Sequence, residues 1–319
     1  MAQLNIPNSY PVELSAPDIS AYAAGNTGIP YVWRFESGHA GPNVMITAIV
    51  HGNEPCGAIA LDWLMSSDVR PEIGTLTLAF MNIEAYEAFD PEDPNATRWL
   101  DEDMNRVWNV DVLEGDRTSV ELRRAREVRP ALEDIDYLLD IHSMQHLAPP
   151  VMITGRQQRA KELSAKVGLP KRIIGDFGHA AGRRMRDYGG FDEEGGSKTA
   201  ILIECGQHWE AAAAPLAKAS AARFLSATGA LPPDFAEPFP PEAEQVFYTV
   251  TEAVTIHSPD GFTFTKPFTG GEVIAKAGTL LGHDGDTPVT TPEDNMMLVM
   301  PSKRLYQGQT AVRLARRDG

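Results

Sequence analysis

Short apolar segments alternate with amphipathic segments through most of this 319-residue chain, and this alternation constrains the fold more than any other feature. The apolar segments are predicted to be strands, several of them buried, and the segments between them have the apolar spacing of helices. Strands that alternate with helices favour a mostly parallel sheet that is covered by helices on both faces. The sequence therefore predicts an α/β fold.

The order of predicted elements follows from the same pattern. One amphipathic segment has a candidate N-cap at Thr118 or Ser119, and Pro130 is expected to interrupt or restart its helix. The predicted strands are 29–35, 43–50, 74–82, 137–143, 151–155 and 198–206, and the predicted helices are 55–66, 118–135, 156–168 and 209–227.

A change in composition divides the chain near residue 231. The stretch LPPDFAEPFPPEAEQ contains five prolines and is typical of a linker. The residues beyond it have the short strands and turn signals of a small all-β domain. The predicted division is a catalytic domain at 1–232, a linker at 233–244 and a β domain at 245–319. The last resembles a biotinyl/lipoyl barrel sandwich without its modified lysine, and we expect it to cover the site.

Composition excludes several classes of protein. A hydrophobic fraction of 43% and a charged fraction of 23% are typical of globular chains. The net charge of −16 disfavours nucleic acid as a partner. Two cysteines are too few for a disulfide framework or a cysteine-rich zinc site. With no signal peptide and no apolar stretch of ~20 residues, the expectation is a cytoplasmic protein without membrane contact. Assembly into a homo-oligomer stays open.

Three predicted strands end in residues that can bind a metal or a proton. His51 follows the strand at 43–50, and Glu54 comes three residues later. Taken alone, the pair is better explained as a polar turn residue and a first-turn glutamate favoured by the helix dipole than as a pair of metal ligands. His142 ends a second strand, with Asp140 on the same strand face, and Glu204 ends a third. Because ligands bind beyond the carboxyl ends of the strands in open α/β sheets, these side chains are expected to meet.

Their chemistry suggests a catalytic zinc site. A tetrahedral zinc takes imidazole and carboxylate ligands, and a catalytic site keeps one position for water. His51, Glu54 and His142 would supply the three protein ligands. A carboxylate such as Glu204 beside the metal-bound water could take its proton and pass it to a leaving amine. An exposed strand-end glutamate is the alternative for Glu204.

Basic residues lie in an otherwise acidic segment, TRWLDEDMNRVW at 97–108. An arginine near zinc, such as Arg98, could hold the developing oxyanion. The planar guanidinium of arginine also matches a carboxylate, so Arg98 or Arg106 could bind the substrate in that way. Neutralisation of Asp101, Glu102 and Asp103 explains both arginines equally well from sequence alone.

Four motifs, taken together, resemble one known family. They resemble, in order, those of the succinylglutamate desuccinylase/aspartoacylase family, a branch of the zinc carboxypeptidase superfamily, and the resemblance covers roughly residues 29–210. It implies a zinc-carboxypeptidase-like fold and a zinc-dependent enzyme that removes the acyl group of a small N-acyl amino acid. The motifs are His51-Gly-Asn-Glu54, Asp103-Met-Asn105-Arg106, Asp140-Ile-His142 and Ile203-Glu204-x-Gly206.

Residue roles are carried over from that resemblance. It implies that one Zn²⁺ per chain is bound by His51, Glu54 and His142. It implies further that Glu204 activates the water and that Arg98 stabilises the carbonyl oxygen. Asn105 and Arg106 match the pair that binds the carboxylate of the amino-acid product, and Tyr306 is the candidate for a tyrosine that reaches in from the C-terminal part.

One departure from the family bears on the substrate. Aspartoacylases have an arginine some ten residues before the catalytic glutamate, where this chain has Asp192, Glu193 and Glu194. The acidic segments at 90–103 and 192–194 suggest a neutral or cationic substrate side chain, whereas Arg183, Arg184 or Arg186 could replace the missing arginine. Two alternatives stay open, a metallocarboxypeptidase that acts on peptides and a non-catalytic relative that binds a carboxylate. The role of His208, four residues after Glu204, also stays open.

Overall fold

A large mixed sheet with helices on both faces forms the centre of the protein. The computed structural model describes residues 10–178, 181–242 and 244–319. The strands are β1 (Val32–Glu36), β2 (Asn43–Ala48), β3 (Thr75–Phe80), β4 (Tyr137–Met144), β5 (Val151–Ile153), β6 (Arg172–Gly175), β7 (Thr199–Gln207), β8 (Val246–Thr255), β9 (Phe262–Phe264), β10 (Val273–Ile274), β11 (Leu280–Asp284), β12 (Thr287–Thr290), β13 (Met296–Val299) and β14 (Thr310–Arg317). The α-helices are α1 (Pro55–Ser66), α2 (Ile83–Glu87), α3 (Val110–Glu114), α4 (Val120–Val128), α5 (Gln158–Val167) and α6 (Ala213–Ala227).

The sheet order is β1-β3-β2-β4-β7-β5-β6-β8-β14-β13-β10, and β12-β11-β9 form a second, smaller sheet. Strands β3, β2, β4 and β7 are parallel to one another, as are β5, β6 and β8. The C-terminal strands pair antiparallel. The predicted fold class, a mostly parallel α/β sheet with a small β-rich C-terminal part, is therefore confirmed. In the part of the chain that the structure describes, no helix is long and apolar enough to cross a membrane.

Two apolar layers bury the central strands. On one face the strands pack against α1, α5 and α6 through side chains such as Leu61, Leu163 and Phe224. On the other face they pack against α3 and α4 and against the fully buried indole of Trp108. Burial on both faces explains why these strands are largely apolar along their length.

The sheet continues across the predicted linker. Strand β8 pairs with β6 from Arg172–Val246 to Gly175–Thr249, so the C-terminal strands extend the main sheet. The proline-rich segment itself packs against α1, where the ring of Trp63 lies 6.2 Å from Phe235 and 5.7 Å from Phe239. The division at 233–244 stays a prediction, and any domain boundary there is crossed by backbone hydrogen bonds.

The element bounds follow the sequence signals closely where those signals are strong. Helix α1 has the predicted bounds, and Ser119 caps α4 by accepting a hydrogen bond from the Leu122 N–H. Pro130 lies in a 3₁₀ helix that follows α4. Strands β6 and β12 were not predicted, since each has only four residues and too little pattern to identify.

Close packing of α1 on the sheet leads to the first prediction. A Cβ atom on Gly57 would lie 2.8 Å from the Ala48 Cβ and 3.2 Å from a methyl carbon of Ile141. Gly57→Val is therefore expected to lower the free energy of unfolding by about 2 kcal/mol, because overpacking a dense core forces backbone shifts. Urea unfolding checks this, with the solvent-exposed Ser66→Val on the same helix as the matched control. Equal stability of the two variants would contradict the close packing.

Candidate metal centre and adjoining cavity

The parallel strands bring the predicted site residues to one edge of the sheet. His51 lies just after β2, and His142 lies in the neighbouring strand β4. The rings of His51 and His142 are 5.0 Å apart between centroids. His142 is directly opposite Glu204 of β7 in the strand register. Three separate strand ends thus meet where the sequence analysis expected them to meet.

A tight turn carries His51 and Glu54 into place. Ile49, at its start, has a left-handed φ of 54°, which is uncommon and costly for a β-branched residue. Gly52 donates a backbone hydrogen bond of 3.0 Å to the Arg98 carbonyl. A Cβ atom on Gly52 would lie 2.3 Å from the carbonyl carbon of Ala85, so no larger residue fits there. The glycine of the HGNE motif is explained by this close approach.

His51, Glu54 and His142 form a buried cluster of candidate metal ligands. The Nδ1 atom of His51 lies 2.8 Å from one Glu54 carboxylate oxygen, and the Nδ1 atom of His142 lies 3.0 Å from the other. The potential ligand atoms of all three side chains lie within 4.8 Å of one another. Two imidazoles and one carboxylate are a donor set that suits zinc.

Carboxylates outside the cluster fix the orientation of both rings. His142 Nε2 lies 2.8 Å from Asp140 Oδ2, and Thr47 donates a 2.8 Å hydrogen bond to the other oxygen of Asp140. His51 Nε2 lies 3.0 Å from Asp103 Oδ1. Each Nε2–H can donate to its carboxylate, which leaves each Nδ1 lone pair directed at Glu54. In that tautomer a metal ion between the Nδ1 lone pairs and the Glu54 carboxylate would be bound by all three side chains, so the cluster fits a metal ion.

The charged groups of the cluster shift the pKa values of His142 and Glu54. Burial alone would lower the pKa of His142, but Asp140 and Glu54 outweigh it and raise that pKa well above its usual value. Burial would likewise raise the pKa of Glu54, but His51 and His142 hold it well below its usual value. Glu54 is therefore a carboxylate, and positive charge, as protons or as a metal, is favoured beside it.

Glu204 is a buried carboxyl group at the edge of this cluster. Its side-chain oxygen Oε2 is buried without a hydrogen-bond partner among the described residues. Burial raises the pKa of Glu204 to about 8; His142 acts to lower it and Glu54 to raise it. A metal cation at the cluster would lower it again. The group is thus placed to accept and release a proton near neutral pH.

Arg98 contacts two of the candidate ligands. Its NH1 donates a 2.7 Å hydrogen bond to Glu54, and its NH2 lies 3.1 Å from His51 Nε2. Because a guanidinium has no acceptor, the Nε2–H of His51 can donate only to Asp103. Arg98 also lines a cavity of about 100 Å³ beside the cluster. It therefore connects the metal cluster to the space where a substrate would lie.

The remaining predicted residues are spread around this cavity. Arg106 lines it, whereas Asn105 is buried behind it and accepts a 2.9 Å hydrogen bond from the Met185 N–H. Tyr306 is half-buried in the loop between β13 and β14. Among the described residues, neither Asn105 nor Tyr306 belongs to the cavity wall.

Two histidines outside the metal cluster differ in their surroundings. His208 is buried, and its Nδ1 lies 2.9 Å from the Ser143 hydroxyl and 3.8 Å from Glu54. Burial holds the pKa of His208 well below its usual value, so the ring is neutral. His146 lines the cavity, and burial lowers its pKa to about 4. A further histidine, His179, lies outside the described residues.

Several residues at the site were missed by the sequence analysis. Asp103 was named as a charge to be neutralised and as the first residue of a motif, but it was given no role at the site, yet it contacts and orients His51. Arg304 and Arg313 line the cavity from the C-terminal part of the chain. Their only sequence signal was basic charge beside β13 and within β14.

Glu121 was also missed, and it organises the loop that carries Arg98 and Asp103. This fully buried carboxylate accepts hydrogen bonds from the backbone N–H groups of Leu100, Asp101 and Glu102 at 2.7–3.2 Å. The Asn82 side chain donates a further one of 3.3 Å. One side chain of α4 thereby satisfies three consecutive backbone donors that no helix or strand would satisfy.

Replacement of Glu121 tests this organising role. Glu121→Gln puts an amide donor against backbone donors, and an unsatisfied buried donor costs about 1–3 kcal/mol. We expect the free energy of unfolding to fall by about 2 kcal/mol in urea titrations. Glu127→Gln on the same helix removes a partly exposed ion pair and is the matched control, with a loss below about 1 kcal/mol. Equal losses would show that Glu121 does not support the loop.

Comparison with known proteins identifies a family. The model of the succinylglutamate desuccinylase/aspartoacylase catalytic domain matches residues 40–220. No curated protein sequence matches the chain.

Solved structures share the fold over nearly the whole chain. Succinylglutamate desuccinylase from Vibrio cholerae has a TM-score of 0.66 at 16% identity, over 90% of this chain and 86% of that one. Murine aminoacylase 3 has a TM-score of 0.61 at 20% identity, over 88% of this chain and 96% of that one. The ectoine utilization protein EutE (DoeB) from Ruegeria pomeroyi has a TM-score of 0.60 at 18% identity, over 87% of this chain and 86% of that one. At these identities the likeness shows a common fold.

Proposed function

The chain belongs to the succinylglutamate desuccinylase/aspartoacylase family, and from that premise we propose that it is a zinc-dependent hydrolase of N-acyl amino acids. One observation carries the proposal beyond the family. Both imidazole Nδ1 atoms and the Glu54 carboxylate converge, with each Nε2 anchored to a carboxylate. The unpartnered oxygen of Glu204 is buried beside them. This is the arrangement that amide hydrolysis by activated water requires.

Each residue has a role that follows from its surroundings. A zinc ion held by His51, Glu54 and His142 would supply a Lewis acid and would lower the pKa of water. Glu204 takes the proton of the attacking water and delivers it to the amine that leaves. Arg98, whose guanidinium lines the cavity, stabilises the negative charge that develops on the scissile carbonyl oxygen.

The substrate carboxylate has a candidate partner in Arg106. This arginine lines the cavity, and its NH1 is held by a 2.7 Å hydrogen bond to the Asn105 carbonyl. Asn105, fixed by its own bond to Met185, would position Arg106 from behind. Tyr306 would contact substrate only if its loop moved towards the cavity.

The shape of the cavity favours a small substrate over a peptide. Its volume is about 100 Å³, and Met300, Pro301 and Ser302 from the loop after β13 form one wall. A peptide chain needs an open cleft, whereas a short acyl group and one amino acid can occupy a partly enclosed cavity. We therefore favour deacylation of single N-acyl amino acids over trimming of peptides.

Metal removal is the direct test of zinc dependence. Turnover is measured on a panel of N-acetyl and N-succinyl amino acids with acidic, neutral and cationic side chains. A chelator should abolish amine release, and Zn²⁺ should restore it. His142→Ala should contain no bound zinc in elemental analysis, because two ligands hold the ion weakly, whereas the exposed His39→Ala should stay loaded. Amine release that resists the chelator would contradict the proposal, and metal-loaded protein that cleaves nothing would favour a binding-only role.

Replacement of Glu204 separates proton transfer from metal binding. Glu204→Gln should lower kcat by about 1,000-fold, since an amide cannot accept the water proton and a positioned base contributes about 10²–10⁴-fold. Its zinc content should be unchanged. The exposed Glu162→Gln serves as the matched control. A Glu204→Gln enzyme within tenfold of the parent would show that another group is the base.

A further inference from the structure

His208 is a buried histidine that the proposed mechanism does not use. It follows β7 directly, and its backbone N–H donates a 2.9 Å hydrogen bond to the Met144 carbonyl at the end of β4. Only 1% of the residue is exposed. Because burial of a polar ring is costly unless hydrogen bonds replace its contacts with water, the partners of this ring indicate its role.

A β-bulge directs the ring towards the metal cluster. His142 is opposite Glu204 in the strand register, but Met144 is opposite Gln207, so β7 contains one extra residue at this point. The bulge includes Gly206, whose φ of 108° favours glycine. Bulges near functional sites redirect the side chains of the strand, and here the redirected residue is the histidine that follows.

The ring reaches the central ligand of the cluster through Ser143. His208 Nδ1 lies 2.9 Å from the Ser143 hydroxyl oxygen and 3.8 Å from Glu54 Oε1. The backbone N–H of Ser143 donates a 3.1 Å hydrogen bond to Glu54 Oε2. All three residues are buried. Ser143 is therefore held by His208 on one side, and it holds Glu54 on the other.

The surroundings of the ring favour one tautomer. A neutral imidazole has one donor and one acceptor nitrogen. Nδ1 faces the negative charge of Glu54, which favours a proton on that atom, and the Nδ1–H can then donate to the Ser143 hydroxyl. Nε2 is buried without a hydrogen-bond partner among the described residues, and a buried acceptor is left unpaired more often than a buried N–H. His208 thus acts as a fixed donor to Ser143.

The residues beside His208 fasten the same segment to the metal-binding turn. Trp209 Nε1 donates a 3.1 Å hydrogen bond to the carbonyl of Asn53, the residue before Glu54. The Trp209 backbone N–H donates a 2.9 Å hydrogen bond to the side-chain oxygen of Gln207. The segment at 207–209 therefore bridges the end of β7 and the turn after β2, and the position of the His208 ring is fixed.

The partners of Glu54 differ in how they could support it once a metal is bound. His51 and His142 contact it through the Nδ1 atoms that would themselves bind the metal. Arg98 donates to Glu54 Oε1, but its guanidinium is also assigned to the scissile carbonyl oxygen. The Ser143 N–H has neither of these tasks, so it can hold the carboxylate throughout the reaction.

We propose that His208 and Ser143 are positioning residues that keep the Glu54 carboxylate in its ligand geometry and thereby increase the affinity for the metal. The proposal rests on the zinc site of the proposed function and adds two residues to it. Neither residue is a ligand: His208 acts through Ser143, and Ser143 acts through Glu54. Groups that orient metal ligands in this way typically contribute about 10–100-fold to metal affinity.

Zinc affinity measured by competition with a chromogenic chelator tests the two residues. His208→Phe keeps a ring and removes the donor, and it should raise the Kd for Zn²⁺ by about 30-fold. Ser143→Ala keeps its backbone N–H and loses the hydroxyl, so we expect a smaller rise of about tenfold. His208→Asn places an amide N–H near the position of Nδ1 and should stay within about fivefold of the parent. The double variant should lose no more than His208→Phe alone, because both changes break one chain of contacts.

A buried serine far from the metal provides the matched control. The Ser220 hydroxyl donates a 2.8 Å hydrogen bond to the Leu216 carbonyl within α6. Ser220→Ala should lower the midpoint of thermal unfolding and leave the Kd for Zn²⁺ unchanged. Co²⁺ reports ligand geometry through its visible absorption bands. These bands should shift in His208→Phe and match the parent in His208→Asn, a result that a loss of stability alone would not produce.

The proposal fails if the parent binds zinc and His208→Phe has the same Kd and the same cobalt spectrum. It also fails if Ser220→Ala weakens zinc binding as much as Ser143→Ala, or if the losses of the two site variants add. If His208→Phe does not fold, Ser143→Ala decides, since its affinity must still fall about tenfold. None of these measurements needs a substrate. A parent that binds zinc and cleaves no N-acyl amino acid would therefore contradict the deacylase function alone, whereas a parent that binds no zinc would overturn both proposals.

Discussion

The carboxylate of Glu54 joins three segments of the chain at one point. Its two oxygens contact the imidazoles of His51 and His142, the guanidinium of Arg98 and the backbone N–H of Ser143. A carboxylate buried to this degree is stable only because these partners surround it. The turn after β2, the end of β4 and the loop before α3 are therefore held in register by one side chain, and the geometry of the cavity depends on it.

The sequence predicted the positions of site residues best where a side chain that can bind a metal or a proton follows or ends an apolar strand. His51, His142 and Glu204 each follow or end an apolar run, and parallel strands present those ends at a single edge. The fold class was predictable because strands that alternate with helices have few architectures available. The family was predictable from four motifs that occur in its order, His51-Gly-Asn-Glu54 being the first. The roles assigned to these residues remain proposals, and the geometry supports them.

The residues that sequence reasoning missed reach the site from loops or from distant segments. Glu121 resembles any first-turn glutamate of an amphipathic helix until the loop at 100–102 is seen to wrap around it. Arg304 follows a short strand of the C-terminal part, and nothing in its immediate sequence indicates that it stacks on Trp99. Such contacts depend on loop conformation, which has no periodic signal to interpret. Local charge in the sequence does not indicate the cavity lining either, because the acidic residues at 90–93 and 193–194 are exposed, whereas Arg98, Asp103 and Arg106 line the cavity.

The pairing of β6 with β8 has a mechanical consequence for the cavity. One wall belongs to the segment after β3 and the other to the loop between β13 and β14, yet both are attached to the same hydrogen-bonded sheet. Rotation of the C-terminal part as a rigid body would break backbone hydrogen bonds along Arg172–Gly175. The separation of the two walls is thus set by the spacing of strands, about 4.8 Å for each neighbour, and only side chains and loops are free to adjust it. A longer ligand would therefore have to be accommodated by movement of these side chains and loops, without rotation of the C-terminal strands away from the sheet.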